Sequence, residues 1–324
     1  MQGEPPEIVC VGLIVADVAV RPFTSLPSRG LVARVDHIGL RTGGDALNEA
    51  VVARRLGMRV RLIGKVGSDP LGDFVLRTLE GERIDTRGIV RSRTVETSAC
   101  IVLIHPDGER SFLFHPGANN AFGVADVDVE LLRGARCVSV ASAAALPALE
   151  GEDLAGLLRK ARSFGAKTFL DFTWDERGNW RETFGPALRC VDFLVPSYDE
   201  AAKLAGASEP REIGKALCDQ GATAVVVKCD ARGAYVYAPD DAGVPPEGCM
   251  VAALRVPVID ATGAGDAFVG GLMSALAGGM DLLAAVRFAN AVAAIVIQRV
   301  GANEGAPSRA EVEELLARDG CAPR

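Results

Sequence analysis

The sequence predicts an α/β protein with a mostly parallel central sheet flanked by helices on both faces, and a small second sheet attached to it. Three observations carry that prediction. Helical stretches ending near glycine alternate with short runs of β-branched residues, the rhythm of βαβ units. Those runs are continuously apolar, as strands covered on both faces must be. Residues 13–42 and 96–118 break the rhythm with paired strand-like segments of alternating polarity.

Taken in order, residues 8–11 read as a buried strand, and "VVARRLG" reads as a helix ending at Gly57, followed by the strand "VRLIGKVG". The same alternation returns in "LAGLLRKARSFGAKTFLDF", "AAKLAG" and "IGKALCDQGATAVVVK". Between them, "VADVAV" and "VARVDHIGL" are joined through "PFTSLPSRG", and "ETSACIVLI" meets "ERSFLF" around the turn "HPDG". These two hairpins imply a small antiparallel sheet with one exposed face. Pattern alone fits a lid and a pair of decorative hairpins equally. The resulting division gives the core residues 1–12, 43–95 and 119–324, and the appended sheet residues 13–42 and 96–118.

A chain of 324 residues with 49% hydrophobic and 24% charged residues can bury a large core. Its formal charge of −7 and its lack of any Lys/Arg run argue against a nucleic-acid or membrane-surface partner. The eight cysteines are scattered, with no C-x-x-C pair, and read as reduced, buried thiols, among them Cys137 and Cys218. "MQGEPPE" has neither a basic start nor an apolar core, and no stretch supplies 18 uncharged apolar residues. A cytoplasmic enzyme is the expectation.

The chemistry gathers in "VIDATGAGDAFVGG", residues 258–271. "LRVPVI" reads as a strand before it, and from Ala267 onward Phe268, Leu272, Ala275 and Leu276 fall on one helical face. The glycines thus mark a strand-to-helix turn, where the first free N–H groups of a helix can meet an anion. Phe268 stands where G-x-G-x-x-G needs its third glycine, and G-x-x-x-x-G-K-[ST] is absent, so neither a dinucleotide fingerprint nor a P-loop is met. Asp266 would repel a phosphate unless it abstracts a proton; it equally suits a helix-capping acid that favours the dipole. Residue pattern leaves both readings open.

"DATGAGDAFVGGLMSAL" resembles the C-terminal signature of the ribokinase-like (PfkB) carbohydrate kinases. "RTGGDALNEAVVARRLGMRVRLIGKVGSDPLG" resembles their N-terminal signature, with Gly43, Gly44, Asn48, Gly57, Gly64, Gly67, Asp69 and Gly72 in matching places. The resemblance implies a ribokinase-like fold whose small β-sheet is a lid over the sugar, and an ATP- and Mg²⁺-dependent kinase acting on a small sugar or polyol. It makes Asp266 the base, residues 263–265 (Gly263, Ala264, Gly265) the anion hole, and Asp17, Gly43, Gly44, Asp45 and Asn48 the sugar-facing set. Arg110 and Asn119 are further candidates for sugar contact. "ASAAALPAL" and "DFTWDERGNW" border the acceptor pocket, and Trp174 or Trp180 either stacks on a base or packs in the core.

For the nucleotide, "VVVKCDARGAY" resembles the family's strand and loop beneath ATP, with Lys228 and Gly233 in place and Asp230 where glycine is common. Asn290 matches a position near the base. The family's N-x-x-E segment stands here as Ser197 to Glu200, with Glu200 linked indirectly to Mg²⁺ and Ser197 replacing the asparagine. The backbone oxygens of Asp260, Thr262, Ile297, Val300 and Ala302 match a loop pair that holds a monovalent cation, K⁺, in many relatives. A homodimer through the lid is expected. A nucleoside kinase of the same fold and a catalytically silent nucleotide- or sugar-binding protein are the alternatives.

Overall fold

The computed structural model describes residues 4–106, 109–175 and 177–320, so Asp107 and Gly108 of the "HPDG" turn lie outside the described residues. Its strands are β1 (Ile8–Gly12), β2 (Val15–Arg21), β3 (His37–Gly43), β4 (Val60–Gly67), β5 (Asp85–Ser92), β6 (Ala99–Ile104) and β7 (Arg110–His115). There follow β8 (Cys137–Ala141), β9 (Lys167–Leu170), β10 (Phe193–Leu194), β11 (Ala224–Lys228), β12 (Ala234–Tyr237) and β13 (Cys249–Val251). The helices are α1 (Asp45–Arg55), α2 (Pro70–Gly81), α3 (Gly117–Asn120), α4 (Gly151–Ser163) and α5 (Trp180–Leu188). The remainder are α6 (Tyr198–Ala205), α7 (Pro210–Asp219), α8 (Ala264–Ala277), α9 (Leu282–Val296) and α10 (Arg309–Arg318).

Nine strands form the main sheet in the order β13-β12-β11-β10-β9-β8-β1-β4-β5. Pairing is parallel from β11 to β5 and antiparallel only for β12 and β13. Its central strands β1 and β8 are buried at every position, as their almost wholly apolar sequences require, with Ser139 the one polar side chain. One apolar core joins the sheet to α1, α2, α8, α9 and α10; a second joins its other face to α4, α5, α6 and α7. Among the described residues no helix is long and apolar enough to cross a membrane. The seven described cysteines are all unpaired, five of them buried and Cys218 and Cys249 half-buried.

Two elements differ from the sequence-based expectation. "LRVPVI" is not a strand: Pro257 has no amide to give to a ladder, β13 already forms the sheet edge, and Val258 and Ile259 are exposed. Helix α8 is buried from Ala267 to Ala275 on every side rather than along one stripe, because it packs against both α1 and α9.

The smaller sheet has the order β3-β2-β6-β7. It is not wholly antiparallel, since β2 and β6 pair parallel. The two hairpins, β2–β3 and β6–β7, lie side by side through their first strands, which run the same way. Register sets Asp17 opposite both Arg41 and Cys100, so those three side chains share a face. Arg110 lies on that face too, by alternation from Cys100 through its partner Ile104, and it reaches the core.

Candidate active site

The predicted turn opens α8 with Gly263 at φ 73°, and a Cβ there would sit 2.3 Å from the Ala302 carbonyl oxygen. Glycine alone fits. The Gly263 carbonyl accepts the Ala267 amide at 2.8 Å, starting the helix. Ala264 donates to the Ala261 carbonyl at 3.3 Å, so the middle amide of the expected anion hole is already engaged in the turn. The Gly265 and Asp266 amides donate to no backbone acceptor outside the helix and to no side chain among the described residues. Positive potential at this end of a fourteen-residue helix therefore remains available to an anion.

Asp260 ties the turn to the loop after α9. One oxygen accepts the Thr262 amide at 2.9 Å and the Thr262 hydroxyl, and the other accepts the Gly301 amide at 3.0 Å. Arg110 donates to the first at 3.2 Å and so is spent on a bond from lid to core. Burial would raise the Asp260 pKa, but these hydrogen bonds and Arg110 hold its carboxyl below the usual range. The Ile297 carbonyl accepts both the Ile259 and the Asp260 amides, at 2.7 and 3.1 Å. Both its lone pairs are occupied, which removes Ile297 from the expected cation ligands.

Asp266 stands in the first turn of α8, where one carboxylate oxygen accepts Asn48 Nδ2 at 2.7 Å. Asn48 Oδ1 in turn accepts Asn303 Nδ2 at 2.6 Å, and Asn303 also donates to the Thr42 carbonyl at 3.0 Å. This chain fixes which way the Asn48 amide points and leaves the other Asp266 oxygen without a hydrogen-bond partner among the described residues. Burial raises the Asp266 pKa, while the Asn48 hydrogen bond and the Lys228 charge pull it back. Removing the amide in Asn48→Ala therefore raises the pKa further. The acid limb of a kcat–pH profile should move to higher pH, with kcat at its plateau falling about tenfold; an unmoved limb would detach Asn48 from Asp266.

Lys228 closes β11 and donates to Asp171 Oδ2 at 2.6 Å. Its Nζ lies 3.3 Å from where a Cβ on Gly265 would be, directly beside the helix terminus. Burial alone would lower the lysine pKa, but Asp171 and Glu200 outweigh it and keep the ammonium form. Burial, and then Asp171, raise Glu200. Glu200 caps α6 by accepting the Ser197 amide at 2.9 Å, in a capping box that also engages the Ser197 hydroxyl. Asp45, half-buried at the start of α1, accepts the Ser142 hydroxyl and is raised by desolvation and by Asp266.

Asp171, Ser142, Asn303 and the buried Glu49 were not singled out by sequence reasoning. Glu49 has both carboxyl oxygens buried without a partner among the described residues, and burial followed by Asp171 pushes its pKa well up. Asp171 had a legible sign: it ends the apolar run "TFLDF" at the carboxyl end of a parallel strand, where ligands of open α/β sheets bind.

On the lid side, Asp17 lies so close to Gly43 that a Cβ there would be 2.1 Å from its carboxylate, and Gly44 caps α1 at φ 93°. Asp45 and Asn48 lie in the first turn of that helix, so this group does come together. Asn119 does not join it: its amide oxygen accepts the Ile14 amide at 3.2 Å and its nitrogen donates to the Ile14 carbonyl at 3.1 Å, both buried. Trp180 is buried against Phe172 and Phe184, whereas Trp174 is half exposed with its ring edge-on to Trp180.

Beyond α8 lies a cavity of about 400 Å³ lined by Leu254, Val256, Val258, Ala261, Ala293 and Ile297. Asn290 borders it and donates to the Val251 and Ala252 carbonyls, at 3.0 and 3.2 Å, pinning α9 to the end of β13. Gly233 abuts the Val251 carbonyl, and Asp230 enters the same loop at φ 49°, the left-handed region that explains why glycine suits its place. Larger surface grooves, beside Arg159 and Arg189 and beside Arg77 and Arg91, contain none of these residues.

An apolar cavity, unpaired helix amides and a carboxylate with one free oxygen gather at the start of α8. Fold and site together define a phosphotransferase with an alcohol group as acceptor. Residues 5–309 match the model of the pfkB family of carbohydrate kinases, and the chain belongs to that family. It is 28% identical to probable fructokinase-7 of Arabidopsis thaliana, over 96% of this chain and 92% of that one. It is 30% identical to the ATP-dependent ribose-1-phosphate kinase of Halopiger xanaduensis, over 85% and 86%. The crystal structure of fructokinase with bound ATP from Xylella fastidiosa superposes with a TM-score of 0.81 at 27% identity, covering 97% of this chain and 98% of that one.

Proposed function

We propose that the protein transfers the γ-phosphoryl group of ATP to a hydroxyl of a small sugar or polyol, with Asp266 as the general base. The observation that carries this is the free oxygen of Asp266 beside the unpartnered Gly265 and Asp266 amides. The acceptor hydroxyl gives its proton to Asp266 as its oxygen bonds to the γ-phosphorus, and the bond from phosphorus to the ADP oxygen breaks. The unpartnered Gly265 and Asp266 amides and Lys228 hold charge on the transferred group. The nucleotide base occupies the cavity beside Asn290, with its phosphates running past Gly233 toward Ser197 and Glu200.

Glu200 would help hold magnesium, which would supply positive charge to offset that of the nucleotide phosphates. The donor set fits that role: among the described residues no group of three or more His, Cys, Asp or Glu is placed to hold a metal ion as an all-protein cage would, and Glu200 would add one carboxylate. The carbonyls of Asp260, Thr262, Val300 and Ala302 would take a potassium ion. Ile38, Leu40, Ile101 and Leu113 share the outer face of the lid and are exposed, which supports a homodimer through it. Unpaired cysteines support a reducing, cytoplasmic setting.

An ADP-release screen across sugars, sugar acids and nucleosides, with and without potassium, tests the proposal; ATP consumed with none of them would remove it. Asp17 adds a pH signature. Burial first, and the Glu304 carboxylate second, push its pKa up to about 6 against the pull of Arg41. The ionised form that accepts sugar hydroxyls is lost as pH falls through that value, so the acceptor KM should rise several-fold below pH 6. In Asp17→Asn the KM should be high and flat with pH; a wild-type KM that does not change between pH 5 and 7 would take Asp17 off the sugar.

A further inference from the structure

The acceptor corner is built from the site-facing side of the lid, the start of α1 and the loop after α9. Its charges are unevenly matched. Arg41, Arg110 and Lys228 already have acidic partners: Arg41 Nε lies 3.5 Å from Glu304 Oε1, Arg110 is bonded to Asp260 at 3.2 Å, and Lys228 to Asp171 at 2.6 Å; Arg21 shares the face but stands at the exposed far end of β2. Arg177, on the loop after β9, is held by Glu150 at 2.7 Å and by Asp175. The carboxyls of Asp17, Asp45 and Asp266 have no basic partner within ion-pair distance among the described residues; Asp45 and Asp266 accept only neutral donors, Ser142 and Asn48.

Resting on the kinase reading above, we propose that this corner selects an uncharged polyhydroxy acceptor and rejects acceptors that already carry a phosphate or carboxylate group. Carboxylates with open lone pairs suit hydroxyl donors. A second anion would meet like charge from Asp17 while Arg41, Arg110 and Lys228 are already paired, and rejection by an unmatched charge discriminates more strongly than rejection by fit. The lid contributes in the same sense. Phe112 and Phe114 alternate with Arg110 along β7, so they share its site-facing side, and both are about half exposed. Aromatic faces suit the C–H surface of a neutral sugar ring and offer nothing to an anion.

The pair most easily released is Arg41–Glu304, which sits beside Asp17 at the end of the loop that also supplies Asn303. Its geometry provides a test in both directions. Initial rates with ATP are compared for matched acceptors, ribose against ribose 1-phosphate and sorbitol against gluconate, in the wild-type chain and in Glu304→Gln. The wild type should favour the uncharged member of each pair at least tenfold in kcat/KM, about 1.4 kcal/mol. Glu304→Gln frees the Arg41 guanidinium and should raise the anionic-to-neutral ratio at least threefold. Preference for ribose 1-phosphate or gluconate in the wild type, or a ratio unmoved by Glu304→Gln, overturns the inference while the kinase reading stands. ATP consumption with no acceptor of the wider screen overturns both.

Discussion

Asp266→Asn should lower kcat by about 10³-fold while the nucleotide dissociation constant stays within about threefold of wild type. The amide is isosteric and can still meet Asn48, so the helix terminus and its free N–H groups keep their geometry. Only the capacity to take a proton disappears. Burial has already raised the carboxyl above the ordinary range, which brings its basicity nearer to working pH and makes the loss larger than for an exposed acid. Steady-state rates paired with calorimetric titration of nucleotide measure both quantities. Retention of a tenth or more of wild-type kcat would exclude Asp266 as the base and reduce it to a capping residue.

The second large effect is expected at Lys228, where function and stability are joined. Lys228→Met leaves Asp171, 2% exposed, without its cation, and removal of one partner from a buried pair costs about 3 kcal/mol. The same change strips a positive charge from beside Gly265 and should lower kcat by about 10²-fold. Adding Asp171→Asn removes the orphaned charge. The double variant should therefore recover most of the lost unfolding free energy in denaturant titrations while its turnover stays low. Recovery of turnover along with stability would mean that Lys228 acts only by holding β11 against β9.

Much of the site was legible because its residues are local in sequence. The helix terminus, its glycines and Asp266 lie within four positions of one another, and the geometry at Gly263 is a property of that turn. Asn48 was legible only through the resemblance, since its bond to Asp266 spans 218 positions. Asn303 had no such aid. It orients Asn48 from 255 positions away, and an amide in a loop has no periodicity to betray it. Asn119 misled for the same reason: a polar residue near a lid reads as a substrate ligand until its two bonds to the Ile14 backbone are seen.

Local composition was sufficient for the alternation of helices and strands, the parallel sheet they build, and the phosphate-binding turn, because each depends on neighbours a few residues apart and on apolar periodicity. Folding in three dimensions decided the rest. It turned "LRVPVI" from a strand into a cavity wall, made β2 and β6 parallel, and set Lys228 against Asp171 and Arg41 against Glu304. The two ion pairs depend on which charges folding brings together, and their energy follows distance and burial rather than order along the chain.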